Sequence, residues 1–362
     1  MGKANKFKKI LIVNPFGVGD LLFSTPLIKN LKDYYPNSQI TVLTAKRSAP
    51  VLENNPNVDS IIGFNRGDFK ESKKESRIKA YKEGLAVLGK IIASRFNLYI
   101  DLSLEHRYSL FVALLRVKPR LGYNYKKRGR FLTEKVDMGG FVGRHVVEYH
   151  LSLIRFLGGK PKFYNSEIFI SEGEKNWADD FLKKDGLEEG QKLVAIAPGG
   201  GKAWGDKAWY KYWPLEKFAG LANKLRVEGV KVILLGDDSD ISICDNLIQL
   251  LKDKPINFCG KTNLRQFFAV LSKSDLVICN DSGTLHAATA LDRKIVSLFG
   301  PTSEISYGPY PLSDKKQVIS KDFPCRPCYD KFGIDECKHS HRCLGQIEVE
   351  EVLGEVKRLL CC

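Results

Sequence analysis

Apolar positions along the chain alternate between two patterns. In the first half, short β-branched runs at 9–14, 39–44, 59–64 and 98–102 predict strands. Apolar residues at helical spacing follow at 20–34, 74–95 and 107–115. The second half repeats the theme, with strands predicted at 193–197, 231–236, 256–259, 276–279 and 295–299. Helices are predicted between them at 214–226, 239–251, 263–272 and 282–291. Pro214 with Glu216 in the first turn, and Asp281-Ser282 ahead of an apolar stretch, are helix-start signals. Such alternation builds a parallel sheet with helices on both faces. Between the halves, Gly158-Gly159-Lys160-Pro161 and a short strand within 163–171 form a turn-rich connection, which puts a boundary near residue 172. The stretch 347–360 reads as an amphipathic helix. The expected fold class is α/β, with two Rossmann-like domains at 1–172 and 173–362. Domains of this kind bind ligands at the carboxyl ends of their strands, in the cleft between them.

Composition narrows the class. Hydrophobic residues at 43% and charged residues at 27% exclude a disordered, collagenous or coiled-coil chain. No apolar run approaches the roughly 18 residues of a spanning helix. The N-terminal run Ile10-Leu11-Ile12-Val13 is too short for a signal sequence, so a cytoplasmic location is expected. Net charge is +15, and the segment 66–135, with 18 Lys/Arg and 7 Asp/Glu, carries +11 of it. Such a field attracts nucleic acid, anionic lipid headgroups or phosphorylated substrates without choosing among them. A nucleic-acid site would interleave aromatics with the basic run. Here Phe and Tyr are only scattered and no binding motif is present, so no nucleic-acid partner is expected.

Candidate chemistry sits at the predicted strand ends. Gly17-Val18-Gly19-Asp20 follows the first strand, but Leu22 occupies the third glycine position of a dinucleotide fingerprint. Asp20 is then either a helix cap or a carboxylate able to take a proton from a hydroxyl. Pro198-Gly199-Gly200-Gly201-Lys202 is followed by Ala203 and lacks the phosphate-loop pattern of kinases. It is a flexible turn or a place of close approach for a bulky anion. Lys211 lies just before a helix start, where its charge opposes the helix dipole unless an anion lies between. The most specific run is Asn280-Asp281-Ser282-Gly283-Thr284-Leu285-His286. A buried strand delivers Asp281 and Ser282 to a helix whose first amides are a ready anion site. Asp237-Asp238-Ser239-Asp240 suits a divalent metal or an acidic helix start. Cys325, Cys328, Cys337 and Cys343, with His339 and His341 among them, are either a structural zinc site or thiols that pack. Disulfides are not expected in a reducing compartment.

Together these motifs resemble the heptosyltransferase family, glycosyltransferase family nine, of lipopolysaccharide core synthesis. The carrying residues are Gly17-Val18-Gly19-Asp20 with Thr25-Pro26, Lys211-Tyr212-Trp213-Pro214, Asp281 to His286, and Gly300-Pro301-Thr302. The cysteine group looks like the tail of the second heptosyltransferase subgroup. The resemblance implies a GT-B fold, with an acceptor-binding first domain, a nucleotide-sugar-binding second domain and a C-terminal helix crossing back to the first. It implies inverting transfer of heptose from ADP-heptose to the lipopolysaccharide inner core, without a catalytic cofactor. Asp20 matches the catalytic base, with Gly17 and Gly19 on the acceptor side. Lys211 matches the donor-phosphate lysine, and Asp281 the aspartate near the donor sugar. Ser282, Gly283 and Thr284 fall at the diphosphate, His286 among the donor-binding residues, and Gly199 and Gly200 in the donor loop. Asp240 stands where the family often has Glu near the ribose. The implied partners are the nucleotide sugar and the anionic, membrane-bound core acceptor, met at the cytoplasmic face of the inner membrane. A relative using another nucleotide sugar, or an epimerase, is the alternative enzyme.

Overall fold

The computed structural model describes residues 6–64 and 74–361, and only the backbone of residues 74–81, 202, 203 and 206. Two compact units divide the chain, Met1–Phe169 and Ile170–Cys362. In the first, β1 (Lys9–Asn14), β2 (Gln39–Thr44), β3 (Ser60–Gly63), β4 (Leu98–Asp101), β5 (Arg120–Tyr125) and β6 (Glu134–Met138) form a parallel sheet ordered β3-β2-β1-β4-β5-β6. In the second, β7 (Leu193–Ala197), β8 (Lys231–Leu234), β9 (Ile256–Asn257), β10 (Leu276–Asn280), β11 (Lys294–Phe299) and β12 (Lys316–Ser320) are parallel too, ordered β9-β8-β7-β10-β11-β12. The two orders are the same doubly wound pattern. The winding reverses between β1 and β4 in one unit and between β7 and β10 in the other, and ligands of such sheets bind at that reversal.

The central strands carry almost uninterrupted apolar sequence because helices cover both faces. Every residue of β7 and β10 is buried. Helix starts follow their caps: Ser171 with Glu174, and Asn263 with Gln266, each form a reciprocal capping box.

Several elements differ from the sequence pattern. The run 20–34 is two helices, Val18–Leu22 and Thr25–Tyr34. Pro26 has no N–H to offer the Leu22 carbonyl, which instead accepts from Thr25 Oγ1 at 2.8 Å. The connection 163–171 is not a strand. The chain from Lys160 to Glu167 is held by side chains of the Thr25–Tyr34 helix: Asn30 exchanges two 2.8 Å hydrogen bonds with the Lys162 backbone, and Thr25 Oγ1 accepts from Glu167 N. β5, β6 and β12 and the helices Val146–Ser152 and Glu172–Lys184 are additional. β6 (EKVDM) has no buried residue and so no apolar signature.

The C-terminal helix, Val349–Cys361, buries Val352, Val356 and Leu359 in the second unit's own core, beside the Leu215–Val227 helix, β10 and β11. No helix among the described residues is long and apolar enough to cross a membrane.

Candidate functional site

In the second unit the reversal lies between the ends of β7 and β10. Asn280 closes β10, fully buried, and pins both neighbours: it donates to Pro198 O at 2.7 Å and accepts from Trp213 N at 3.1 Å. The next residue, Asp281, is buried at 4% exposure. Its Oδ2 lies 2.7 Å from Lys211 Nζ and accepts from Thr302 Oγ1, also at 2.7 Å. Lys211 in turn sits 4.1 Å above the Trp204 ring, which stacks on Tyr329. Burial pushes the Asp281 carboxyl up, but the Lys211 charge and the hydrogen bonds from Lys211 and Thr302 outweigh it and hold it below the usual aspartate range. Burial pushes His286 down to about 4, so its ring is neutral at pH 7. His286 Nε2 is 3.9 Å from Asp281 Oδ1, beyond hydrogen-bond reach.

The helix that follows, Gly283–Ala290, begins without a cap. Ser282 makes no side-chain cap bond, and no acidic residue stands in the first turn. Ser282 Oγ is buried and has no hydrogen-bond partner. Three features therefore coincide: unsatisfied first-turn amides, an orphaned hydroxyl, and an ion pair whose charges cancel. This arrangement suits an anion held by the helix end, with Lys211 as a neighbouring donor.

Within the triple glycine, Gly199 is required by the chain's own packing. A Cβ on Gly199 would lie 2.0 Å from Asp240 Oδ1, and Gly201 has a φ of +64°. The room at Gly199 is filled by Asp240, a carboxylate of the chain itself. Asp240 is buried, accepts from Gly201 N and Asp237 N at 3.2 Å each, and is pushed up by burial and then by Asp237. Asp237 and Asp240 form a reciprocal capping box on the turn before the Ile241–Gln249 helix.

In the first unit, the loop after β1 carries Asp20. Asn14, buried at the strand end, donates to Asp20 O at 2.9 Å and accepts from Phe16 N, while Ser48 Oγ donates to Phe16 O. Asp20 is partly exposed on the Val18–Leu22 helix. Gly17 has a φ of −76°, so its backbone does not require glycine. Sequence reasoning missed Asp101, which ends β4 opposite Val13 of β1. Asp101 is buried and accepts from Tyr99 OH at 2.8 Å, Ser103 N at 2.9 Å and Ser103 Oγ at 2.5 Å. Burial pushes its carboxyl up to about 6, against those hydrogen bonds. Its signal was available: a carboxylate closing a strand otherwise apolar. Trp204 was missed as well, in the short 3-10 segment Lys202–Lys211, which has no periodicity to mark it.

The cysteine segment braces the site. Arg326 donates to Gly300 O and to Glu304, fixing the loop that presents Thr302 to Asp281. Burial, and then Cys325, Cys343 and Cys337, push the Cys328 thiol up to about 11, so it is protonated at neutral pH. Among the described residues no group of three or more His, Cys, Asp or Glu side chains is placed to hold a metal ion.

Residues 85–339 match the model of glycosyltransferase family 9 (heptosyltransferase). The chain is 26% identical to lipopolysaccharide heptosyltransferase 3 of Escherichia coli over 347 residues, covering 94% of this chain and 95% of that protein. It is 28% identical to lipopolysaccharide heptosyltransferase 2 of Salmonella typhimurium over 367 residues, covering 97% and 98%. The solved structure of E. coli ADP-heptose lipopolysaccharide heptosyltransferase II is similar at a TM-score of 0.76 and 25% identity, with 98% of each chain covered. With two doubly wound sheets of the GT-B kind and a family match across most of its length, the chain belongs to glycosyltransferase family 9 and is a glycosyltransferase.

Proposed function

We propose that this enzyme transfers a heptose from ADP-heptose to the inner core of lipopolysaccharide, inverting the anomeric centre. The observation that carries the reading is the uncapped, acid-free start of the Gly283–Ala290 helix with the orphaned Ser282 hydroxyl beside it. As the bond from the anomeric carbon to the diphosphate breaks, negative charge grows on the phosphate oxygens. The amides of Gly283 and Thr284, Ser282 Oγ and Lys211 donate to that charge. Asp281 holds Lys211 and Thr302 in place. Asp240 fixes the Gly201 amide, and with it the Gly199–Gly200 loop on the nucleotide side. His286, being neutral, adds no charge to the site. The acceptor hydroxyl attacks the anomeric carbon from the opposite face and gives its proton to Asp20. The products are the glycoside and ADP, and no cofactor takes part.

The acceptor is anionic and lipid-anchored, so the enzyme works as a peripheral protein at the cytoplasmic face of the inner membrane. The basic segment 66–135 suits that surface, although its residues 66–73 lie outside the described residues. The test is mass spectrometry of heptose-deficient core lipid after incubation with a panel of nucleotide sugars. The reading requires a gain of one heptose from ADP-heptose. A gain from a different nucleotide sugar, or epimerised donor without acceptor, would replace it.

A further inference from the structure

We infer that one face of the first unit, formed by the helices Lys74–Ser94 and His106–Leu114, docks the enzyme on an anionic lipid bilayer by inserting an apolar stripe between basic residues. The proposal rests on the lipid-anchored acceptor proposed above and names the surface that meets the lipid. Both helices lie on the same side of the first sheet, because they share one core. Val87 and Ile91 from the first helix, and Tyr108, Phe111 and Val112 from the second, pack with Leu11, Val13 and Tyr99. Residues on the opposite face of each helix are exposed. On the first helix that face shows Leu85, Ala86, Gly89, Ile92 and Ala93, the i, i+4, i+7 rows of one stripe. Leu85 is 50% and Ile92 53% exposed. On the second it shows Leu110 and Leu114, the latter 72% exposed. Single exposed leucines are ordinary on a protein surface, but an exposed apolar row on each of two helices that share one core is not.

Charge selects the occupant. Lys82, Lys90 and Arg107 on these helices, and Arg95, Arg116 and Lys118 just past their ends, are exposed and have no carboxylate partner among the described residues. The three carboxylates between Lys82 and Lys118 are already committed. Glu83 pairs with Lys46, Glu105 pairs with Arg128, and Asp101 is buried. Unpaired cations flanking leucine and isoleucine fit an interface of anionic headgroups over acyl chains. The cations could serve nucleic acid, but the apolar stripe would then gain nothing.

The test is flotation of the full chain with phosphatidylglycerol/phosphatidylethanolamine vesicles and with phosphatidylcholine vesicles. Two variants are compared, Leu85→Gln/Leu114→Gln and Lys90→Glu/Arg116→Glu. All four positions are exposed, so folding is expected to persist, checked by the thermal midpoint. Wild type should float with the anionic vesicles only, less so at high salt, and each double variant should lose at least ~10-fold in bound fraction. Transfer to a delipidated core oligosaccharide should be unchanged in both variants. That assay separates the two ideas, because a wild-type enzyme active on this acceptor but indifferent to vesicles sinks the docking surface alone. Vesicle binding undiminished by the leucine substitutions would also overturn it. So would a concentration-dependent dimer, seen by light scattering, that those substitutions abolish, since the face would then belong to a second copy.

Discussion

Lys211 Nζ lies 2.7 Å from Asp281 Oδ2, and both side chains are nearly enclosed. The lysine is therefore not a free cation waiting for phosphate. Its charge is already balanced, and the excess attraction for an anion comes from the helix start beside it. Removing one partner of a buried pair leaves the other uncompensated. Lys211→Ala should lower folding stability by about 3–5 kcal/mol and also weaken ADP binding. Urea denaturation and an ADP titration measure the two effects. Unchanged ADP affinity would remove Lys211 from the donor site.

Ser282→Ala should move stability and affinity in opposite directions. The hydroxyl is buried without a partner, so its loss should cost the fold nothing and could raise stability by up to ~1–3 kcal/mol. With ADP bound, the same loss deletes a hydrogen bond, which should weaken affinity about 10-fold. A thermal melt with and without ADP reads both. A destabilised apo protein, or an unaffected affinity, would contradict the placement of the phosphate.

Gly199→Ala tests the reading of the triple glycine. The added methyl would collide with Asp240 and displace it from the Gly201 and Asp237 amides. A loss of about 1–3 kcal/mol is expected, typical of overpacking. Asp240→Ala should relieve much of that penalty in the double variant. Additive losses would show that the contact with Asp240 is not what forbids a side chain at 199.

Asp101 should make stability depend on pH. Folding raises its pKa from the ordinary 3.8 to about 6, chiefly by burial. The native state then holds a proton that the unfolded chain releases. The stability gained from this is complete below pH ~4 and is lost as pH rises through about 6, a change of about 3 kcal/mol. Asp101→Asn cannot titrate. The urea midpoint of wild type should therefore fall relative to Asp101→Asn between pH 4 and 7. A constant difference across that range would contradict the assignment.

The central strands were legible because burial on both faces leaves an unbroken apolar signature, as in LVAIA and LVICN. β6 was not, since none of its residues is buried. The break after Leu22 depends on a hydroxyl, Thr25 Oγ1, replacing the N–H that Pro26 lacks, and periodicity carries no trace of that exchange. In the site, Asp281 to His286 stood out because an acid, a hydroxyl and a glycine followed a buried strand. What spacing could not show is who pairs with whom. Lys211 is neutralised by Asp281, Gly199 makes room for Asp240, and the loop holding Thr302 is fixed by Arg326 from the cysteine segment.

The most direct measurement is single-turnover heptosyl transfer by Asp20→Asn, read beside the affinity of the same variant for ADP-heptose. The account predicts transfer slowed by at least ~100-fold, as expected for loss of a general base, with donor affinity unchanged. Transfer at the wild-type rate would show that another group takes the acceptor's proton.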